Sequence, residues 1–228
     1  QTFTAEHILI ATGGKPNLPD VPGIQHAITS NEVFHLEQLP PRVLIVGGGF
    51  IAVEFAGILH GLGSQVTLAY RGEQILRGFD GSLRQHLHEE MVKRGVNILL
   101  ETDVSNITRQ QDGTLQVGWQ GDLRAPAEFD AVLVATGRVP CADGMGLAEA
   151  GVALGKKGEV LVNEWGQSSV PSIHAVGDVT DRIALTPVAI REGAAVAQTL
   201  FGTAPVSADL QVVPAAVFSQ PPIGTVGL

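Results

Sequence analysis

Cysteine is almost absent from this chain, since Cys141 is the only one among 228 residues. A lone cysteine excludes a disulfide within the chain and any Cys-x₂-Cys metal or redox pair. The seven histidines are scattered. His86 and His88 lie two apart on a predicted helix, so their side chains point to different faces. The sequence therefore predicts no metal site, and for Cys141 it favours a structural or incidental role over a nucleophilic one.

Positive charge and long apolar runs are also scarce. The chain has 14 basic and 23 acidic residues, a net charge of −9, and no basic run longer than two residues. This balance disfavours nucleic acids and anionic membrane surfaces as partners. No apolar stretch reaches the roughly 18 residues that a membrane span requires. The remaining composition, 44% hydrophobic with 28 glycines, indicates a soluble globular protein with one large domain or two smaller ones.

The most informative glycines follow a run of apolar, mostly β-branched residues. Val43–Val46 lead directly into Gly47, which indicates a central parallel strand buried on both faces. Gly47-x-Gly49-x-x-Ala52 then fits the dinucleotide-binding fingerprint in its Ala-ended form. Gly47 permits the tight turn, and Gly49 lets the backbone approach a pyrophosphate. Ala52 is small enough for the next helix to pack close to the strand.

The residues after this turn complete a strand–helix–strand unit. Apolar side chains at helical spacing predict a helix over 50–62, with Gly63 as its stop. Residues 65–70 follow as a second strand. This context favours a nucleotide-binding turn over a chance match.

The end of the second strand indicates which nucleotide is bound. An NAD site places a carboxylate there, on the ribose 2′-OH, but this strand ends without one. Arg71 follows directly and Arg77 comes six residues later, and guanidinium groups suit a 2′-phosphate. Glu73, the nearest acid, lies past the strand end. Solvated loop charges are the alternative; after a fingerprint, NADP is favoured.

Two near-repeats divide the rest of the chain. Residues 8–14 and 132–138 each run from a predicted buried strand into Ala-Thr-Gly, as closing strands of two successive nucleotide-binding units would. The segment between them is then one complete domain. Its further predicted elements are a short helical stretch at 31–38, a helix at 82–94 stopped by Gly95, a strand at 96–100, a meander from 103–109 and 114–119 around Gln111-Asp112-Gly113, and a strand at 131–135.

Beyond residue 138 the sequence predicts short strands at 160–162 and 173–176 and a helix over 187–200. Asp178 follows the second of these strands, where ligands bind in α/β sheets. Amide groups around Thr186 would point a positive helix end at the same region. A turn role for Asp178 and an ordinary helix cap at Thr186 are the alternatives. The chain opens without Met inside a predicted strand, Phe3–Ile10, so we expect an internal part of a longer polypeptide.

The order and spacing of five motifs resemble those of the flavoprotein disulfide reductases. They are Ala-Thr-Gly-Gly at 11–14, Gly-Gly-Gly-Phe-Ile-Ala-Val-Glu at 47–54, Ala-Thr-Gly-Arg at 135–138, Ala-Val-Gly-Asp at 175–178 and Leu-Thr-Pro-Val-Ala at 185–189. Residues 70–80 and 217–228 are similar to the cyanobacterial and plant branch of the glutathione reductases. The resemblance covers nearly the whole chain. It implies an enzyme in which FAD takes hydride from NADPH and passes electrons to an active-site disulfide that reduces glutathione disulfide.

The resemblance also implies individual roles. The residues implied to hold NADPH are Gly47, Gly49, Ile51, Arg71 and Arg77, with Gly137 and Arg138 against its adenosine half. Near the nicotinamide it implies Glu54, Val217 and the gating aromatic Phe50. For FAD it implies Thr12, Gly13, Asp178 at the ribityl chain and the Thr186 amide at the pyrimidine edge.

The implied fold class is α/β, with a Rossmann-like NADPH-binding domain of parallel sheet and β-meander plus part of a FAD-binding and central domain. The implied domains are the end of the FAD-binding domain (1–12), the NADPH-binding domain (13–138), a central FAD-contacting segment (139–210) and the start of an interface domain (211–228). The family's redox cysteines and acid–base pair fall outside these residues, so we expect no catalytic residue among them. The parent protein is expected to be a cytoplasmic homodimer, or chloroplastic in a plant.

The substrate assignment leaves alternatives open. Many relatives carry an arginine toward glutathione near the position of Ala194, whereas in this chain the nearest is Arg191. Trypanothione, mercuric and dihydrolipoyl reductases are rivals within the family. The arginines after the second strand disfavour the dihydrolipoyl type, which uses NAD. A hypothesis from another class is that this chain alone acts as a nucleotide-binding module.

Overall fold

The computed structural model describes residues 2–121 and 124–227. These residues form two compact units. The first unit contains Pro16–Gly137 together with Ala215–Thr225. The second contains Arg138–Pro214 with the residues before Pro16 and after Thr225.

Short strands outnumber helices along the described residues. The strands are β1 (Ile8–Ile10), β2 (Gly14–Pro16), β3 (Arg42–Val46), β4 (Gln65–Ala69), β5 (Asn97–Leu99), β6 (Val104–Arg109), β7 (Leu115–Trp119), β8 (Ala127–Phe129), β9 (Ala131–Val134), β10 (Arg138–Pro140), β11 (Ile173–Ala175), β12 (Ala215–Val217) and β13 (Ile223–Thr225). The α-helices are α1 (Phe50–Gly61), α2 (Gly81–Lys93) and α3 (Thr186–Phe201). Short 3₁₀ helices cover Ile24–His26, Glu32–His35 and Gly177–Thr180.

A parallel sheet of order β5–β4–β3–β9 forms the centre of the first unit. The chain leaves β3 toward β4 on one side, whereas β9 pairs with β3 on the other side. The carboxyl end of β3 is therefore a topological switch point, the place where open α/β sheets bind their ligands. The parallel sheet predicted from the sequence is confirmed.

Side-chain alternation in β3 builds the core on both faces of this sheet. Val43 and Ile45 pack into the cluster that includes α1 and α2, and Leu44 and Val46 pack into the cluster that includes β6 and β7. Successive strand residues point to opposite faces, so one strand serves two cores. The four-residue apolar run of the sequence has this physical cause.

The two helices of the first unit begin and end close to their predicted bounds. Leu62 caps α1 at its C-terminus and Gly63 follows with φ 112°. Asp80 caps the N-terminus of α2, where its carboxylate accepts from the Ser82 amide at 2.9 Å. The Ser82 hydroxyl also donates to this carboxylate and holds its pKa below the usual range. These contacts fix the first turn of α2.

The antiparallel meander predicted around Asp112-Gly113 is also present. β6, β7 and β8 form a three-stranded antiparallel sheet, and Gly113 turns with φ 91° between the first two. The sequence prediction missed β8, which is only three residues long. A second hairpin, β12–β13, belongs to the first unit although it comes more than 70 residues after the end of β9.

The second unit contains two short sheets and α3. β1 pairs in parallel with β11, and β2 pairs with β10. The helix predicted over 187–200 is confirmed as Thr186–Phe201, with Pro187 in its first turn. Its N-cap is Leu185, which makes no side-chain capping bond.

Three predicted elements differ from the observed ones. The strand predicted over 3–10 begins only at Ile8, because its partner β11 is three residues long. The helix predicted over 31–38 is a 3₁₀ helix at Glu32–His35, and Leu36 is already extended ahead of the Pro40-Pro41 pair. The strand predicted over 160–162 is wrong. Val160 makes only an isolated bridge with Leu154, next to the turn at 155–158.

In the part of the chain that the structure describes, no helix is long and apolar enough to cross a membrane. The same residues contain no cluster of three or more His, Cys, Asp or Glu side chains that could hold a metal ion.

Candidate functional site

The glycine turn lies at the switch point, between β3 and α1. Gly47 has φ 140°, and a β-carbon there would come 2.3 Å from the Ala135 carbonyl oxygen. Both the backbone angle and the nearby backbone at Ala135 therefore require glycine at this position. The Gly47 amide donates to the Ala69 carbonyl at 2.9 Å, which ties the turn to the end of β4.

Gly49, the N-cap of α1, is different because neither its backbone angles nor packing against the described residues requires a glycine there. Its φ of −84° and ψ of −177° suit any residue. A β-carbon there would meet no atom of the described residues within 4 Å. α1 has no side-chain cap bond and no acidic residue in its first turn. The first amides of α1 thus adjoin open space next to a bare backbone, an arrangement that suits a phosphate group.

Replacing Gly49 by alanine should separate ligand binding from folding. We expect the free energy of unfolding of Gly49→Ala to lie within about 0.5 kcal/mol of the wild-type value, because the methyl group has room and the backbone is unstrained. It should weaken NADPH binding roughly tenfold or more, since the methyl group blocks at least one charge-assisted bond to the pyrophosphate. Denaturant unfolding and NADPH titration of the full-length protein measure the two effects.

Gly48→Ala is the matched comparison. A β-carbon at Gly48 would come 2.5 Å from the ring of Tyr70, so this variant should lose stability. Wild-type NADPH affinity in Gly49→Ala would contradict the assignment of the pyrophosphate to this turn.

Tyr70 connects the glycine turn to the loop that follows β4. Its ring lies so close to Gly48 and Gly72 that β-carbons at these positions would approach it to 2.5 and 2.6 Å. The Leu76 amide, from the same loop, donates to the Gly48 carbonyl at 2.6 Å. The loop of residues 70–80 is therefore held directly against the turn.

Arg71 and Arg77 lie on this loop, and both are exposed. Within residues 2–121 and 124–227, neither guanidinium has an ion pair or a side-chain hydrogen bond. Two uncompensated cations thus stand on a loop that touches the glycine turn. Such a pair can bind a phosphate without first breaking internal salt bridges.

The residues that the resemblance places near a nicotinamide also come together in the first unit. The Phe218 amide donates to the Glu54 carboxylate at 2.9 Å, across a separation of 164 residues. Val217 beside it is 1% exposed and packs in the core of this unit, so almost none of its surface is open to a ligand. Phe50 is 42% exposed at the start of α1, whereas Ile51 is half-buried against the core.

Gly137 and Arg138 follow β9. Gly137 has φ 111°, and its carbonyl accepts from the Asn17 amide at 2.9 Å. Arg138 belongs to the second unit, where its guanidinium donates to the Gly14 carbonyl. Gly137 lies beyond the same carboxyl edge of the parallel sheet as the glycine turn and the loop of residues 70–80.

In the second unit, Asp178 lies in the 3₁₀ helix that follows β11. It is half-buried, and a β-carbon on Gly14 would come 3.5 Å from its Oδ2. Within the described residues its carboxylate has no hydrogen bond or ion pair. A carboxylate that is partly desolvated and has no partner in the fold is suited to accept bonds from a ligand hydroxyl.

The other residues implied to contact FAD are Thr12, Gly13 and Thr186. The Thr12 hydroxyl donates to the Cys141 carbonyl at 2.5 Å, and the Gly13 carbonyl accepts from the Cys141 amide at 2.9 Å. Gly13 turns with φ 70°. Thr186 is exposed as the first residue of α3, so its amide is free of the helix's internal ladder.

Glu192 is a feature of this region that the sequence did not reveal. Its side chain on α3 is almost fully buried, and its carboxylate accepts from the Gly177 amide at 2.7 Å. Arg182 balances its charge at 2.9 Å. This pair of the buried Glu192 and the more exposed Arg182 joins α3 to the segment that carries Asp178.

Comparison with known proteins places the chain in a family. The model for pyridine nucleotide-disulphide oxidoreductases matches residues 1–193. The chain belongs to the pyridine nucleotide-disulphide oxidoreductase family. The α/β fold class inferred from the sequence and its resemblance to the flavoprotein disulfide reductases are thereby confirmed.

Members of this family are similar to the chain over its whole length. A trypanothione reductase of Trypanosoma congolense is 49% identical over 231 residues, which cover 100% of this chain and 46% of that protein. A glutathione reductase of Nostoc is 46% identical and is covered to 51%. The structure of the HOCl-induced flavoprotein disulfide reductase RclA from Escherichia coli superposes with a TM-score of 0.91 at 30% identity, over 97% of this chain and 51% of that one. The chain spans about half the length of the family members it matches.

Proposed function

We propose that this chain supplies the NADPH site and part of the FAD site of an NADPH-dependent flavoprotein that reduces glutathione disulfide. The observation that carries the proposal is the open glycine turn at Gly49 with Arg71 and Arg77 on the adjoining loop. The open turn suits the pyrophosphate, which NADH also carries. The two cations beside it suit the 2′-phosphate, which distinguishes NADPH from NADH.

In this proposal the candidate site residues of the first unit bind different parts of NADPH. Gly47 and Gly49 receive the pyrophosphate with the amides of Phe50 and Ile51. Arg71 and Arg77 bind the 2′-phosphate, and Gly137 adjoins the adenosine half. The contact that the resemblance implies for Arg138, a residue of the second unit, stays a prediction. Glu54, bonded to the Phe218 amide, lies with Val217 beside the nicotinamide, and the exposed Phe50 ring lies near the same part of NADPH.

The residues of the second unit serve FAD. Asp178 accepts from a ribityl hydroxyl, which gives its unpartnered carboxylate a donor. The Thr186 amide, at the positive end of α3, donates to the pyrimidine edge, and Thr12 and Gly13 line the same cofactor. When bound, FAD would accept hydride from NADPH and pass the electrons on. The positive end of α3 would favour negative charge at the pyrimidine edge.

We propose the same domain limits as the resemblance implies, namely 1–12, 13–138, 139–210 and 211–228. The compact first unit, Pro16–Gly137 with Ala215–Thr225, falls within three residues of the proposed NADPH domain at both ends of its main segment. We propose further that the parent protein is a cytoplasmic homodimer without nucleic-acid or membrane partners. The net charge of −9 supports the last point.

Trypanothione disulfide is the second candidate substrate. The similarity to the Trypanosoma congolense trypanothione reductase, 49% identical, favours it as a specific alternative. A nucleotide-binding module without disulfide reduction is the third candidate, since the family's redox cysteines lie outside this chain.

Anaerobic titration of the full-length protein tests the proposal. We expect flavin absorbance in the purified protein, and we expect NADPH to bleach it much faster than NADH does. Adding glutathione disulfide should then oxidise NADPH. Preferred turnover of trypanothione disulfide would move the assignment to the second candidate. Absence of flavin absorbance, or faster reduction by NADH, would contradict it.

A further inference from the structure

The loop of residues 70–80 has an unusual conformation for an irregular segment. Ile75 and Leu76 at its centre are 0% and 1% exposed, inside the core that α1 and α2 share. Leu76 has φ 54°, a left-handed conformation that leucine rarely adopts. A buried non-glycine residue keeps such a conformation only where its surroundings enforce it.

Burial of these side chains leaves two backbone carbonyls of the loop in need of partners. Arg84 supplies both, with Nε donating to the Ile75 carbonyl at 2.7 Å and Nη2 to the Gln74 carbonyl at 2.8 Å. The guanidinium is half-buried, and no carboxylate of the described residues lies within ion-pair distance. Its contacts in the fold are thus with backbone, and its planar fork sets the direction of both bonds.

Arg84 reaches the loop from a rigid support. It lies in the first turn of α2, and its own amide donates to the carbonyl of the N-cap residue Asp80 at 3.1 Å. Arg77 follows Leu76 directly in the chain, and Arg71 opens the same loop. The segment that Arg84 holds therefore lies between the two exposed arginines.

We propose that Arg84 is a positioning residue for recognition of the 2′-phosphate. It holds the 74–76 segment against the glycine turn, so that Arg71 and Arg77 stand in place before NADPH arrives. Pre-organisation of this kind raises affinity because the loop need not be ordered on binding. The inference rests on the proposed use of NADPH and adds to it a residue that has no phosphate contact of its own.

The test uses the full-length protein and three variants, Arg84→Gln, Arg84→Lys and Lys93→Gln. Lys93→Gln is the matched control, because it also removes one positive charge from α2, at an exposed site paired only with Glu90. KM and kcat are measured with NADPH and with NADH. Equilibrium binding of adenosine 2′,5′-bisphosphate and of 5′-AMP gives a second readout that does not depend on turnover.

We expect Arg84→Gln to raise KM for NADPH roughly tenfold, the equivalent of one lost charged hydrogen bond, with kcat unchanged. Affinity for the bisphosphate should fall by a similar factor, while NADH and 5′-AMP are unaffected. Arg84→Lys should show most of this loss, because an ammonium cannot direct bonds to both carbonyls. The Lys93 variant should match the wild type.

Three results would overturn the inference. Wild-type affinity in Arg84→Lys would mean that Arg84 acts through its charge. Equal increases in KM for NADPH and NADH would mean a general structural role for Arg84. Wild-type KM for NADPH in both Arg84→Gln and Arg84→Lys would mean no role. A wild-type protein that does not prefer NADPH would instead refute the proposed function, which separates the two failures.

Discussion

Replacing Arg71 and Arg77 together by alanine is expected to abolish the preference for NADPH. Each charge-assisted contact to a 2′-phosphate contributes about 1.5–3 kcal/mol, so kcat/KM with NADPH should fall by roughly 100-fold or more. NADH lacks this phosphate, so its kcat/KM should stay within about twofold of the wild-type value. Steady-state kinetics of the full-length protein with both nucleotides measure the difference.

A matched control removes two other cations from the same unit. Arg94 and Arg109 are exposed and have no ion pair within the described residues. Arg94→Ala plus Arg109→Ala changes the net charge equally, so it corrects for long-range attraction of an anionic nucleotide. Equal losses for NADPH and NADH in the Arg71/Arg77 variant would return both arginines to the solvated-loop alternative.

Replacing Asp178 by alanine is expected to weaken retention of FAD. Its carboxylate is half-buried and has no partner among residues 2–121 and 124–227, so a bond from a ribityl hydroxyl would be charge-assisted and contribute about 1.5–3 kcal/mol. The flavin dissociation constant should rise roughly 10- to 100-fold. The ratio of flavin to protein absorbance after prolonged dialysis of the full-length protein measures it.

Asp181→Asn is the control for Asp178→Ala. Asp181 lies three residues further on, and its carboxylate pairs with Lys157 at 2.6 Å instead of facing Gly14. Its left-handed backbone, φ 49°, tolerates asparagine. Full flavin content in the Asp178 variant would support the turn role that the sequence left open.

Several elements could be predicted because their causes are local. α1 ends at Gly61 and α2 at Lys93, each just before a glycine with positive φ, at Gly63 and Gly95. The β6–β7 hairpin follows from Asp112-Gly113. The strand predicted over 160–162 failed for the opposite reason, since three apolar residues say nothing about whether a partner strand is within reach.

The assignment of Val217 shows the same limit at the site. The resemblance places it near the nicotinamide, and that role remains a prediction. The whole residue is 1% exposed in the core of the first unit, so almost none of its surface is open to a contact. Burial of a single valine depends on what packs against it and leaves no pattern in the neighbouring sequence.

The sequence alone determined the βαβ unit, its glycine turn and the presence of arginines in place of an acid after β4, because these depend on residue type and spacing. Only the tertiary structure revealed what surrounds them. The Leu76–Gly48 bond, the Arg84 contacts with the loop and the Glu192–Gly177 bond link backbone groups to partners many residues away. The Phe218–Glu54 bond spans 164 residues. A backbone amide or carbonyl exists at nearly every position, so the sequence cannot show which of them a distant side chain will bind.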